Sequence, residues 1–210
     1  MNTVAMFLSL LLNTIIIVCE LWVLAGLRKK TDIVRYYTYL QNALGLVSSI
    51  LFVGALLLHI FCGTSIPEYA KGFRYIATTG LTVTFFVYCL ILSPGHNHRN
   101  LISEDDFKQG YDHIKANHIL HGVCPALSLI SFICFERQFP LHTPVWTGMA
   151  AIPSCIYWGV YIVLSVNHLW TEPYDFSTST GKRSPLKEAI CFILIPALFI
   201  VTSIILWNIK

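Results

Sequence analysis

Six times along this chain a long apolar run gives way to a short polar one. The runs cover approximately residues 4–27, 37–61, 73–92, 118–135, 145–169 and 189–207. Each comes close to the roughly 20 mostly apolar residues needed to cross a hydrocarbon core. The pattern predicts an all-α fold: one domain, residues 1–210, built as a bundle of six transmembrane helices. Gly45, Gly54, Pro125, Pro153 and Pro196 lie inside the runs, where neighbouring helices can satisfy the backbone groups they free. Trp22, Trp146, Trp170 and Trp207 fall near run ends, the depth at which tryptophan anchors to the interface. The longest polar stretch, roughly residues 94–117, is short enough to be a connecting loop, and no internal repeat is evident.

Composition supports the membrane assignment. Hydrophobic residues make up 55% of the chain and charged residues 12%, with a mean hydropathy of +0.64. A water-soluble domain carries roughly 25% charged residues, so about half of the usual solvating surface is missing. Of the seven cysteines, Cys19, Cys89, Cys124, Cys134, Cys155 and Cys191 sit in apolar runs and only Cys62 is near a loop. They read as small packing residues rather than a disulfide framework. The first run has no basic segment before it and no small-residue cleavage site after it, so a cleaved signal peptide is not expected.

Charge then sets an orientation. Ten of the fourteen Lys and Arg residues follow the first, third and fifth runs: Arg28, Lys29, Lys30 and Arg35, then Arg99, Lys108 and Lys115, then Lys182, Arg183 and Lys187. Lys71, Arg74, Arg137 and Lys210 fall on the other side. The excess of cationic residues in cytoplasmic loops places both termini outside. The basic loops are too small and scattered to imply nucleic acid.

Under that topology, polar residues gather at the cytoplasmic ends of the runs. Glu20 and Trp22 end the first; Tyr36, Tyr37 and Thr38 open the second, with Asn42 one turn further. Tyr88 closes the third, His118 and His121 open the fourth, and Asn167, His168 and Trp170 end the fifth. A polar pocket open to the cytoplasmic leaflet follows, because polar groups within a membrane are costly and tend to be kept for a task. Interface anchoring accounts for any one Tyr, Trp or His equally well, and His118, at the very start of its run, is a good case of it. His121 and Asn42 lie a turn inside. Glu20 is deeper, where its charge must be neutralised by a proton or by a neighbouring helix.

Thr38 and His121 are the pair able to do nucleophilic chemistry. A hydroxyl needs a positioned base, which histidine commonly provides. Asn42, four residues after Thr38, shares its helix face and offers an amide to a developing oxyanion, as Thr78 or a tyrosine hydroxyl also could. The eight histidines include no adjacent pair, which a membrane hydroxylase would need; His121 with His168 could instead hold a haem. The chain has no phosphate-binding glycine loop, Cys-x-x-Cys or His-Glu-x-x-His, so neither a metal nor another cofactor is expected.

Four of these segments together resemble one family. Residues 36–42, Tyr-Tyr-Thr-Tyr-Leu-Gln-Asn, are similar to the second-span motif of the androgen-induced-gene/FAR-17a proteins and their six-span prokaryotic relatives. Asn117-His118-Ile119-Leu120-His121 followed by Pro125 resembles the fourth span of that family; the proline falls closer to the histidine than in the eukaryotic members. Arg74 leading to Thr78, Thr82 and Tyr88 looks like the third, and Trp170-Thr171-Glu172-Pro173-Tyr174 like the exit of the fifth. The likeness covers roughly residues 30–176. It implies an intramembrane threonine hydrolase of fatty acid esters of hydroxy fatty acids, with Thr38 as nucleophile and His121 as base. Asn42, Thr78, Tyr88, His118, His168, Trp170 and Glu20 would line the substrate or oxyanion pocket. The partner would be a lipid ester in the bilayer, in a plasma membrane or, in a eukaryote, an endomembrane. A non-catalytic lipid-binding or proton-coupled transport protein is the alternative, and Glu20 suits it better.

Overall fold

The computed structural model describes residues 3–29, 36–89, 105, 107–167 and 185–209. Among them the secondary structure is helical apart from one isolated bridge between Leu27 and Phe107. Helix α1 spans Thr3–Gly26, α2 Tyr37–Cys62 and α3 Glu68–Val87. A continuous rod, α4, spans His113–Phe135. It is followed by α5 (Val145–Met149), α6 (Ile152–Val166) and α7 (Pro185–Asn208). Among the described residues, four helices are long and apolar enough to cross a membrane: α1, α2, α4 and the α5–α6 stretch Val145–Leu164.

The helices sort their side chains outward by apolarity. On α1 the buried positions are Met6, Ser9, Asn13, Ile16, Glu20, Val23 and Gly26, spaced by three and four along one stripe. Val4, Phe7, Leu11, Val18 and Leu21 point outward and are exposed. Polar groups inside and large apolar groups outside suit a hydrocarbon solvent, not water.

Helix α3 is one of two expected runs that are not among those four, and its packing explains why. It packs against α2, α4, α5 and α7, so neighbouring helices rather than lipid cover most of it. Its buried face holds Arg74, Thr78, Thr79, Thr82 and Thr84 together with Gly72 and Gly80. Each threonine at 79, 82 and 84 returns its hydroxyl to the carbonyl four residues earlier, at 2.8–3.0 Å, which makes a hydroxyl tolerable in an interior. The glycines give close approach: a Cβ at Gly80 would collide with the Gln41 side chain of α2, and one at Gly72 with the Trp146 indole.

Some expected boundaries shift. Helix α3 starts at Glu68, not near residue 73, because Pro67 at its N-cap sets the entry and Glu68 sits in the first turn. Glu68 pairs with Lys71 at 3.0 Å and accepts from the His142 amide. Helix α4 starts at His113, where the Asp112 side chain caps the Lys115 amide at 2.9 Å. His118 therefore lies in the second turn instead of at a helix start. The fifth run is interrupted at Ala150–Ala151.

The segment before α4 folds back over the end of α1. Lys108 donates its amide to the Gly26 carbonyl at 2.9 Å and its ammonium to Ala25. Tyr111 packs on Trp22 with ring centroids 5.4 Å apart, and the Lys115 ammonium lies 5.9 Å from the same indole. This end, rich in tryptophan, tyrosine and lysine, closes over the interior described next.

Candidate functional site

Helix α4 is not α-helical throughout, and its irregularity follows from one residue. Pro125 has no N–H to give to the His121 carbonyl four residues back, and its ring crowds that position. The chain widens into a π turn over Ile119–Val123, where the Cys124 amide bonds to the Ile119 carbonyl five residues earlier. In that register the Leu120 carbonyl would wait for the amide of Pro125, which does not exist. Asn42 supplies the donor from α2: its Nδ2 lies 3.3 Å from the Leu120 oxygen and 2.8 Å from the Thr38 oxygen. One amide thus ties the backbone of Thr38 to the turn that carries His121. Single π turns inside helices are frequent at functional sites.

His121 is buried, its ring stacked on Tyr88 at a centroid distance of 4.4 Å and an angle of 14°. Its Nδ1 is buried without a hydrogen-bond partner. Thr38 is half-buried at the first turn of α2. Among the described residues no hydrogen bond joins its hydroxyl to His121, whose Nδ1 has no partner. Both Nδ2 protons of Asn42 are committed to carbonyls, so it presents an acceptor, Oδ1, to the interior rather than the expected oxyanion donor. Glu20 belongs to the same layer. It is fully buried, and the Cys124 thiol, one turn beyond Leu120, faces its carboxyl group.

Other expected members fall elsewhere. His118 is exposed, consistent with interface anchoring. His168 and Trp170 lie outside the described residues. Thr78 is far from His121: ten residues separate it from Tyr88 along α3, about 15 Å at helical rise. Its hydroxyl instead meets Ser128 Oγ at 3.0 Å in a second polar layer, towards the opposite end of the bundle.

That second layer was missed in the sequence. Its centre is a buried ion pair, Arg74 Nε to Glu136 Oε1 at 3.2 Å. The guanidinium also donates to Ser128 Oγ at 2.9 Å and to the Ser128 carbonyl at 3.2 Å. Glu136 Oε1 further accepts from Ser131 Oγ at 2.6 Å, Asn13 Nδ2 at 3.0 Å and Ser9 Oγ at 3.4 Å. A second π turn, over Ser131–Phe135, places it: the Glu136 amide bonds to the Ser131 carbonyl and brings the carboxylate back over the serine. Arg74, counted with the cations of the side opposite the basic loops, is buried, which leaves the exposed basic residues still more one-sided. The signal available was α1 itself, where Ser9, Asn13 and Glu20 share one face.

No protein-family model, curated protein or solved structure matches this chain. The site must speak through its own chemistry. The described residues hold no group of three His, Cys, Asp or Glu side chains placed to bind a metal ion.

Proposed function

We propose that this protein is a six-span membrane hydrolase of lipid esters, with Thr38 as nucleophile and His121 as general base. The observation that supports it is the Asn42 bridge, which fastens the backbone at Thr38 to the π turn bearing His121. A nucleophile on one helix and a base on another need such a tie, since a misplacement of about 1 Å costs on the order of a hundredfold in rate. The likeness to the androgen-induced-gene/FAR-17a proteins selects the same two residues and points to fatty acid esters of hydroxy fatty acids.

In this reading, α3 and α7 join the four apolar helices as spans, and the loops rich in lysine and arginine face the cytoplasm. The ester enters from that leaflet with its acyl chains among the helices. His121 takes the Thr38 proton as the oxygen attacks the ester carbonyl. Collapse of the tetrahedral adduct expels the hydroxy-acid alkoxide, which leaves with the proton from His121, and Thr38 is acylated. Water then gives a proton to His121, its hydroxide attacks the acyl-enzyme, and the fatty acid departs as Thr38 regains its proton. Asn42 is not the oxyanion donor in this scheme, because both of its amide protons are committed to carbonyls.

The test is intact-protein mass spectrometry after fluorophosphonate treatment in detergent. Wild type should gain one adduct that is lost in Thr38→Ala and in His121→Ala, both still folded. An adduct retained by Thr38→Ala, or none on wild type, would move the role to lipid binding or transport.

A further inference from the structure

Residues 107–112 lead into α4 and lie across the end of α1. The Phe107 side chain is buried in one apolar cluster with Val23, Leu27, Tyr39 and Leu120. Tyr39 and Leu120 are the chain neighbours of Thr38 and His121, so the Phe107 ring plugs the end of the bundle where that layer lies. Deeper on the same two helices are Glu20 and the Cys124 thiol that faces it, both buried.

The two halves of this segment are held very differently. Tyr111 and Asp112 are fixed. The Tyr111 ring fills the place that a Cβ at Gly26 would take, which only glycine permits, and it stacks on Trp22. The Asp112 carboxylate caps the Lys115 amide at 2.9 Å and its carbonyl accepts from Ala116 at 3.0 Å, so it belongs to α4. Residues 107–109 are tied to α1 by Lys108 alone among the described hydrogen bonds: its amide donates to the Gly26 carbonyl at 2.9 Å and its ammonium to Ala25 at 2.8 Å. Lys108, Gln109 and Gly110 are exposed. Gly110, at φ 87°, stands between the fixed half and the loosely tied one, and glycine alone passes freely between left-handed and ordinary backbone. An exposed segment with few bonds over a buried layer is where a fold opens at least cost.

We propose that residues 107–109 form a latch that pivots at Gly110 and lifts the Phe107 ring out of its slot. Opening exposes the layer of Glu20, His121 and Cys124 to molecules at the membrane surface, while Tyr111, Asp112 and α4 stay in place. The latch does not rest on the hydrolase reading, because a thiol rather than an ester reports its opening. A failed Thr38 adduct and a failed latch are therefore separate results.

The test is a reversible lock. Leu27 and Phe107 form an antiparallel bridge. Paired residues in such a bridge lie about 4.5–5.5 Å apart at Cα, within the span of a disulfide. The full chain carrying Leu27→Cys/Phe107→Cys is treated with N-ethylmaleimide in detergent, oxidised or reduced, and modification of Cys124 is read on its peptide by mass spectrometry. The oxidised form should label at Cys124 about tenfold more slowly than the reduced form. Lys108→Met keeps the Phe107 ring, loses the bond to Ala25, and should label faster than wild type. Amide exchange in residues 45–56, in the middle of α2, reports global unfolding and should be the same throughout. Equal Cys124 labelling in the oxidised and reduced forms would overturn the latch. So would a Lys108→Met variant that labels no faster than wild type, or labelling that changes only in step with exchange in residues 45–56.

Discussion

Asn42 Nδ2 donates to the Leu120 carbonyl at 3.3 Å because Pro125 leaves that oxygen with no amide of its own. The side chain on α2 completes the hydrogen bonding of α4. Replacing it by leucine keeps the bulk and strands a buried carbonyl, which costs about 1–3 kcal/mol. Asn42→Leu should therefore lower the unfolding temperature in detergent by several degrees. Asn42→Asp, which sets a carboxylate against two carbonyl oxygens, should lower it further. Equal stability of Asn42→Leu and wild type would show that the Leu120 carbonyl is satisfied otherwise.

Pro125→Ala separates the turn's geometry from its stability. Alanine restores an amide for the His121 carbonyl and permits a regular α-helical register, which removes the π turn and turns the His121 ring relative to Thr38. The variant should fold with wild-type or higher stability. Labelling of Thr38 by fluorophosphonate should fall at least tenfold, as expected of a base moved out of reach. Undiminished labelling would mean that the π turn does not aim His121.

Much of this was legible in the chain, for physical reasons that also mark where legibility ended. Apolar runs report lipid-facing surface, so α1, α2, α4 and the α5–α6 stretch were plain. Helix α3 is covered by protein, and its threonines hide in backbone bonds, so its boundary was misplaced by five residues. Thr38, Asn42 and His121 group together in the sequence because each lies near the start of an apolar run, although His121 sits more than two turns into α4. The direction of the Asn42 amide could not be read, since it depends on a π register that shows only in three dimensions. Glu136 lies just past an apolar run and Arg74 just inside one, so each resembled an interfacial charge. Their pairing needs the crossing of α3 and α4.

The Arg74–Glu136 pair predicts a strong asymmetry between breaking it and replacing it. Arg74→Met leaves Glu136 buried with only hydroxyl and amide donors, and should destabilise by about 3–5 kcal/mol, as for other buried pairs cut on one side. Glu136→Gln keeps the oxygen that Ser131 and Asn13 bond to and should cost less. The double variant Arg74→Met/Glu136→Met should be more stable than the sum of its single variants implies, by at least about 1 kcal/mol of coupling. Additive losses in the thermal or denaturant measurement would show that the pair contributes no coupling.

Two glycines on facing helices should respond in opposite ways to the same change. At Gly80 a methyl group would collide with the Gln41 side chain, which is itself held by its Nε2 bond to the Tyr37 hydroxyl at 2.8 Å. Gly80→Ala must therefore push α2 and α3 apart or break that bond, at a cost of about 1–3 kcal/mol for overpacking. At Gly54 nothing lies within 4 Å of an added Cβ. Gly54→Ala should leave the protein as stable or raise it by up to about 1 kcal/mol, the helix preference for alanine over glycine. Thermal unfolding of the two variants side by side distinguishes close helix contact from helix propensity. A harmless Gly80→Ala would mean that α2 and α3 are not in close contact there.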